Sequence, residues 1–212
     1  MPIDALVAFE PRKTPVQARS TVTVEAISEA AIQVLLSHGT ERLTTTRVAG
    51  RAGVSVGTLY QYYPNKQSLL FAVLEDHFNK VTSRVEAACE NASHKPMAEM
   101  IKEMVEAFVD AKMERADISV ALYRIAANAG GPALIKQVNQ RSRKAVEAML
   151  ETAPDLQSPP DKAVIDIMLS AMAGVMRSLL EARPSPATVR KAREQLVVLC
   201  QSYMAATTAK HA

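Results

Sequence analysis

Apolar positions recur along this chain at the three-and-four spacing of amphipathic helices, and no stretch alternates with the period of two that a half-buried strand needs. Ile27, Ala30, Ala31, Val34 and Leu35 form the first such stripe, which Gly39 ends. A threonine run, Thr44 to Thr46, supplies N-cap candidates for a short second helix with Val48, Ala49 and Ala52 facing inward, and Gly53 stops it. Ser55 is placed to cap a third helix of about two turns, with Leu59 and Tyr63 on one side; Pro64 closes it by pushing the preceding residue out of helical geometry. Gln67 begins a longer helix, striped by Leu70, Val73, Leu74, Phe78, Val81 and Val85. Breaks at Lys95-Pro96, Gly130-Gly131-Pro132, Pro154 with Pro159-Pro160, and Pro184 with Pro186 divide the remainder. They predict helices near Met97 to Glu114, Asp117 to Asn128, Ala133 to Glu151, Asp161 to Ala182 and Ala187 to Ala206. The expected fold is all-α.

Composition agrees, because glycine and aromatics are scarce among the 212 residues while 48% are apolar. Two cysteines far apart in sequence signal neither a disulfide framework nor a zinc site, which suits a reducing cytoplasm. The first fifteen residues lack the basic start and apolar core of a signal peptide. No apolar run is expected to reach the roughly 18 residues of a membrane span. A net charge of +3 announces no partner by itself, but its distribution is uneven. Between Glu41 and Glu75 there is no acid, while Arg42, Arg47, Arg51 and Lys66 fall inside that gap.

Within the same gap, two short helices joined by Ala52-Gly53-Val54-Ser55 have the outline of a helix-turn-helix. At 100° per residue, Gly57 and Gln61 lie opposite Leu59 and Tyr63 on the third helix, flanked by Thr58 and Tyr60. That outer face is small, hydrogen-bonding and free of acids. Gly57 lets the backbone approach another surface, and Thr58, Tyr60 and Gln61 can contact base edges or phosphates, as a major-groove reader must.

The run Thr44-Thr45-Thr46-Arg47-Val48-Ala49, followed by Ala52-Gly53-Val54-Ser55-Val56-Gly57-Thr58-Leu59-Tyr60-Gln61-Tyr62-Tyr63-Pro64-Asn65-Lys66-Gln67-Ser68-Leu69-Leu70, resembles the DNA-binding signature of the TetR family. The likeness extends from about Thr23 to Phe78. It implies that Thr45 and Thr46 start the second helix against the phosphate backbone, that Val56, Gly57, Thr58, Tyr60 and Gln61 face the groove, and that Tyr62 and Lys66 bind phosphates. Arg47 departs from the pattern: it stands where the family often carries an acid completing a capping box, and a cation there opposes the helix dipole. Gly50, inside the second helix, costs up to about 1 kcal/mol relative to Ala. Tyr62 replaces the commoner histidine.

The resemblance implies an N-terminal arm (1–19), a helix-turn-helix domain (20–66) and a helical effector-binding and dimerisation domain (67–212). Double-stranded operator DNA with an inverted repeat, a second copy of the chain and a small-molecule effector are then the expected partners, with no membrane and no cofactor. The two last long helices would form the dimer contact, where Ala171, Ala173 and Gly174 permit close packing and Ile167, Val175, Leu179, Leu196, Leu199 and Tyr203 supply apolar area. Met100, Met104, Met149, Met168, Met172 and Met176, with Phe108 and Tyr123, are candidates for a pliable effector pocket, against the plainer reading of ordinary core. Met113, Arg124 and Asn128 belong to the same set, with a surface or salt-bridging role as the stronger reading of Arg124.

Other clusters read as structural. Cys89 and His94 lack a third ligand and are expected as solvated helix-end residues; Cys200 is expected as a buried thiol. His38, His77 and His211 show no acid–base partner in sequence. Glu99, Glu103, Glu106 and Asp110 alternate with Lys102 and Lys112 as exposed helix faces do. No catalytic or metal constellation remains, and a cytoplasmic repressor released by an apolar or amphipathic ligand is the expected function. Its rivals are a DNA-binding factor whose C-terminal domain binds a protein, and a helical enzyme or binding protein that has lost DNA binding; Thr58, Tyr60 and Lys66 speak against the latter.

Overall fold

The computed structural model describes residues 18–126 and 131–208. Among them the chain is helical throughout, with no strand: α1 (Ala18–Arg42), α2 (Thr45–Ala52), α3 (Val56–Tyr62), α4 (Lys66–Ala92), α5 (Met97–Glu114), α6 (Ala116–Ala126), α7 (Gly131–Leu150), α8 (Lys162–Glu181) and α9 (Pro186–Thr208). These match the expected helices to within a few residues. Residues 1–17 of the arm, Asn128 and His211 lie outside the described residues, as does the side chain of Arg124, while the last two positions of the expected arm, 18 and 19, already belong to α1. At Gly39 the φ of 75° interrupts α1, and one last turn follows before Leu43. The local stop signal therefore acts where the sequence places it.

Contacts divide the chain into two compact units. The first holds α1 to α3, α4 as far as His77, and the described part of Asp117–Ile135, that is, α6 and the start of α7. Its buried residues include the whole expected stripe of α1, with Val48, Ala49, Leu59, Leu70, Val73 and Leu74. Burial of such side chains contributes roughly 1.5–3 kcal/mol each before entropy is counted. His77 is buried here with its Nε2 3.0 Å from the Ser119 hydroxyl, so it has a partner that sequence did not show.

The second unit comprises Phe78–Ala116 and the described residues from Lys136 onward. In it α9 packs along α5 and α8, and α5 along α8. Its core draws Met100, Ile101, Met104, Val105 and Val109 from α5, Val146 and Met149 from α7, and Ile165, Met168, Met172 and Met176 from α8. Arg141 ties α7 to α4 through both oxygens of Glu86, at 3.0 and 2.7 Å, and through Asn79 Oδ1 at 2.7 Å. The planar guanidinium makes this fork, which an ammonium could not.

Two expectations fail here. Lys112 is not on a solvated face: it is 6% exposed, with Nζ 5.3 Å from the centroid of Phe78, and burial pulls its pKa down to about 8. The cause is its phase on α5, three and seven residues beyond the buried Val109 and Val105. The expected absence of a span-length apolar run also fails, because α8 is long and apolar enough to cross a membrane by length and composition. It is apolar on two faces: one is buried in its unit, while the other exposes Ile167 and Val175.

Candidate nucleic-acid interface

The frame of the site is set by caps. Thr44, extended at φ −126° and ψ 152°, accepts the Arg47 amide on its hydroxyl and starts α2. Gly53 takes φ 70° and ψ 25°, a left-handed conformation that costs other residues about 1 kcal/mol or more, and its N–H returns to the Ala49 and Gly50 carbonyls. Ser55 then accepts the Thr58 amide at 2.9 Å and starts α3. The third helix ends at Tyr62, before Pro64, with the Tyr63 N–H on the Leu59 carbonyl at 2.9 Å. Two helices of seven and eight residues are thus stopped and restarted within a few positions.

Leu59 and Tyr63 are buried as expected, at 0% and 4% exposure. Burial, reinforced by Asp76 and Tyr62, pushes the Tyr63 phenol up to about 12, so it stays neutral. On the other side of α3, Gly57, Tyr60 and Gln61 are exposed, while Val56, Thr58 and Tyr62 are half-buried. Added to Gly57, a Cβ would meet only Ser55 Oγ, at 3.7 Å. Nothing inside the fold asks for glycine at that position.

Several polar partners were not visible in sequence. The Thr45 and Tyr60 hydroxyls lie 3.1 Å apart, which ties the first turn of α2 to the outer face of α3. Whichever donates, one hydroxyl proton remains for a phosphate oxygen. The Thr58 hydroxyl sits 2.9 Å from the Ser55 hydroxyl, so it is shared with the cap. Lys66 donates from Nζ to the Thr40 carbonyl at 2.6 Å, closing the end of α1; two ammonium protons remain. Thr46 is exposed. The structure therefore joins Thr45 to Tyr60 and, separately, Lys66 to Thr40, and leaves Gly57 and Gln61 open on α3.

The family model described as "Bacterial regulatory proteins, tetR family" matches residues 27–73, and "Tetracyclin repressor-like, C-terminal domain" matches 96–204. The chain belongs to the TetR family. This TetR-family chain is 30% identical over 144 residues to the HTH-type transcriptional regulator CymR of Pseudomonas putida, covering 66% of itself and 70% of that protein. It is 36% identical over 57 residues to the nucleoid occlusion factor SlmA of Pasteurella multocida, a likeness confined to 27% of this chain and 29% of that one. In fold it resembles a TetR-family regulator from Streptomyces coelicolor, with a TM-score of 0.68, 20% identity and coverage of 89% and 82%. The TetR-family chain is accordingly a DNA-binding transcriptional regulator.

For this regulator's second unit the outcome is mixed. Met100, Met104, Met149, Met168, Met172 and Met176 are each at most 2% exposed, and Phe108 is half-buried. Tyr123 falls in the first unit instead, with α6. Two cavities open on the second unit, one of about 540 Å3 at the end of α9 that includes Met97, and one of about 380 Å3 that includes Cys89, Arg141 and Met149. Of the dimer candidates, Ile167, Gly174, Val175 and Leu199 are exposed and Ala171, Leu179 and Tyr203 are half-buried. Leu196 is a correction: it is 2% exposed, on the inward stripe with Cys200 and Met204, and Val198, 52% exposed, stands outward where Leu196 was expected. Cys89 is another. It is 2% exposed, and burial, then Glu86 and Glu90, push its thiol up to about 12. Cys200 is buried as expected.

Proposed function

We propose that this chain is a cytoplasmic repressor that binds an inverted-repeat operator as a homodimer and is released by a small apolar or amphipathic effector. The observation that carries the reading is the outward face of α8 and α9, where Ile167 is 56% exposed, Val198 52%, Leu199 48% and Val175 39%, beside the bare Gly174. Large apolar side chains rarely stand clustered in water on a soluble protein, and a second copy covers them by the same contacts in reverse. An isologous pair presents two α3 helices related by a two-fold axis, so the DNA sequence it reads is itself two-fold. The helices must then lie about 34–36 Å apart to enter successive major grooves.

Release follows from that geometry. An effector that binds better to a dimer with its α3 helices at another spacing withdraws the population that fits DNA, by as much as its preference between the two states. The buried methionines of α5, α7 and α8 support an apolar or amphipathic ligand, because unbranched thioethers repack around varied shapes. Footprinting on DNA next to the protein's own gene tests the reading. Two protected half-sites related by a dyad are expected, and protection of one unpaired half-site would sink it.

A further inference from the structure

We propose that Gln61 is the residue of α3 that fixes base identity, and that it does so by pairing with an adenine in each half of the operator. The assignment rests on the operator-binding reading above and adds which base that operator must carry. It starts from how the polar side chains of α3 are already engaged. The Thr58 hydroxyl lies 2.9 Å from the Ser55 hydroxyl, within the cap that starts the helix. The Tyr60 hydroxyl lies 3.1 Å from that of Thr45, which ties its ring to α2. Tyr62 is half-buried, and Val56 and Gly57 bring no side-chain hydrogen bond. Gln61 is exposed, and its carboxamide has no hydrogen-bond partner among the described residues.

A carboxamide holds an acceptor and a donor side by side, so it is fully satisfied by an edge that presents a donor beside an acceptor. In the major groove adenine alone does this, through its N6 amino group and N7; guanine shows two acceptors, cytosine a donor, and thymine an acceptor beside a methyl group. The side chains that read guanine two-pronged are those of arginine and lysine, and neither occurs in α3. Reach is provided by the preceding turn. Gly57 lies one turn N-terminal to Gln61, and Cα–Cβ bonds tilt toward the helix N-terminus, so Gln61 leans over the exposed position of α3 that carries no side chain. A helix bare at that turn can approach base edges closely enough for a side chain of only two methylenes to meet them. No acid stands between Glu41 and Glu75 to oppose the same approach.

The test is selection from a random duplex library with the full-length protein, followed by titration of the enriched sequence. Wild type should enrich two dyad-related half-sites with adenine at one fixed position in each. Gln61→Lys should move that position alone to guanine, and Gln61→Ala should relax it to all four bases while the flanking positions stay as they were. Replacing that adenine by another base should weaken wild type on the order of ten- to a hundred-fold per half-site, and leave Gln61→Ala nearly unchanged. Placed at the same position, 7-deazaadenine, which lacks the N7 acceptor but keeps the base pair and the amino donor, should weaken wild type and spare Gln61→Ala. A dyad sequence that neither variant changes, a G·C pair at the position that does change, or an equal cost of 7-deazaadenine in wild type and Gln61→Ala overturns the assignment. Enrichment of no sequence, or of a single unpaired half-site, would instead overturn the operator-binding reading on which it rests.

Discussion

Gly174→Glu separates the protomer from the dimer more cleanly than any other change on the outward face. Gly174 is exposed inside α8, and a Cβ built there meets nothing within 4 Å. Within one protomer the glutamate is therefore unopposed, and leaving glycine at a helix interior gains roughly 0.5–1 kcal/mol. The monomer should be as helical as wild type and no easier to melt. In the proposed dimer the balance reverses, because Gly174 shares one side of α8 with Ile167, Ala171 and Ser178, a stripe whose small residues allow close helix approach. A carboxylate forced into that contact is buried without a partner, twice per dimer by symmetry. Even a single penalty of about 3 kcal/mol weakens association roughly a hundred-fold. Sedimentation equilibrium against circular dichroism distinguishes the two parts: dissociation with retained helicity is expected. A dimer of wild-type affinity would move the interface off α8, and a melted protomer would contradict the open space around Gly174.

Other consequences follow from single residues. Gly57→Ala should raise thermal stability by up to about 1 kcal/mol while weakening operator binding in anisotropy titrations, since the methyl fits the protein but projects toward DNA; equal or tighter binding would remove Gly57 from the contact face. Lys112, with its pKa lowered to about 8 by burial against an unfolded value near 10.5, binds fewer protons folded than unfolded between those values, so stability should rise with pH across that window. Lys112→Met should stabilise the protein most at neutral pH, by on the order of 3 kcal/mol at most, with the gain fading toward pH 10.5; urea melts at pH 7 and 10 that differ equally in both proteins would refute it. Cys89 and Cys200, held near 12 and 11 by burial, should resist iodoacetamide at pH 8 until the chain unfolds, and rapid labelling of the native protein would place one of them at the surface.

What the sequence made legible follows the range of the interactions involved. Thr44, Gly53, Ser55 and Pro64 act on backbone groups within a few residues, so the ends of α2 and α3 could be read directly from composition. The pairs that stiffen the interface are different in kind. Lys66 reaches Thr40 across 26 positions, and Thr45 meets Tyr60 across 15, distances over which spacing says nothing until the turn between α2 and α3 is built. The same limit hid the partner of His77, which comes from α6.

Periodicity also fails in a characteristic way where a helix is apolar on more than one side. On α9, Leu196, Cys200 and Met204 form one stripe and Val198, Leu199 and Tyr203 another, and both satisfy the spacing of a packed face. Only burial separates them: the first lines the protomer's own core and the second remains outside it. The same duplication on α8 gives a composition fit for a membrane, although its successive turns bury Met168, Met172 and Met176. Lys112 is the converse, a charge in the phase of a core stripe on α5, where the three-and-four spacing from Val105 and Val109 predicts burial more reliably than residue type does. An apolar stripe left over after the protomer core is filled is thus information about assembly, and a charge found inside the core stripe is information about what the fold must tolerate. For this chain the first is the face on which the proposed second copy rests, and the second identifies a stability cost that a single methionine should remove.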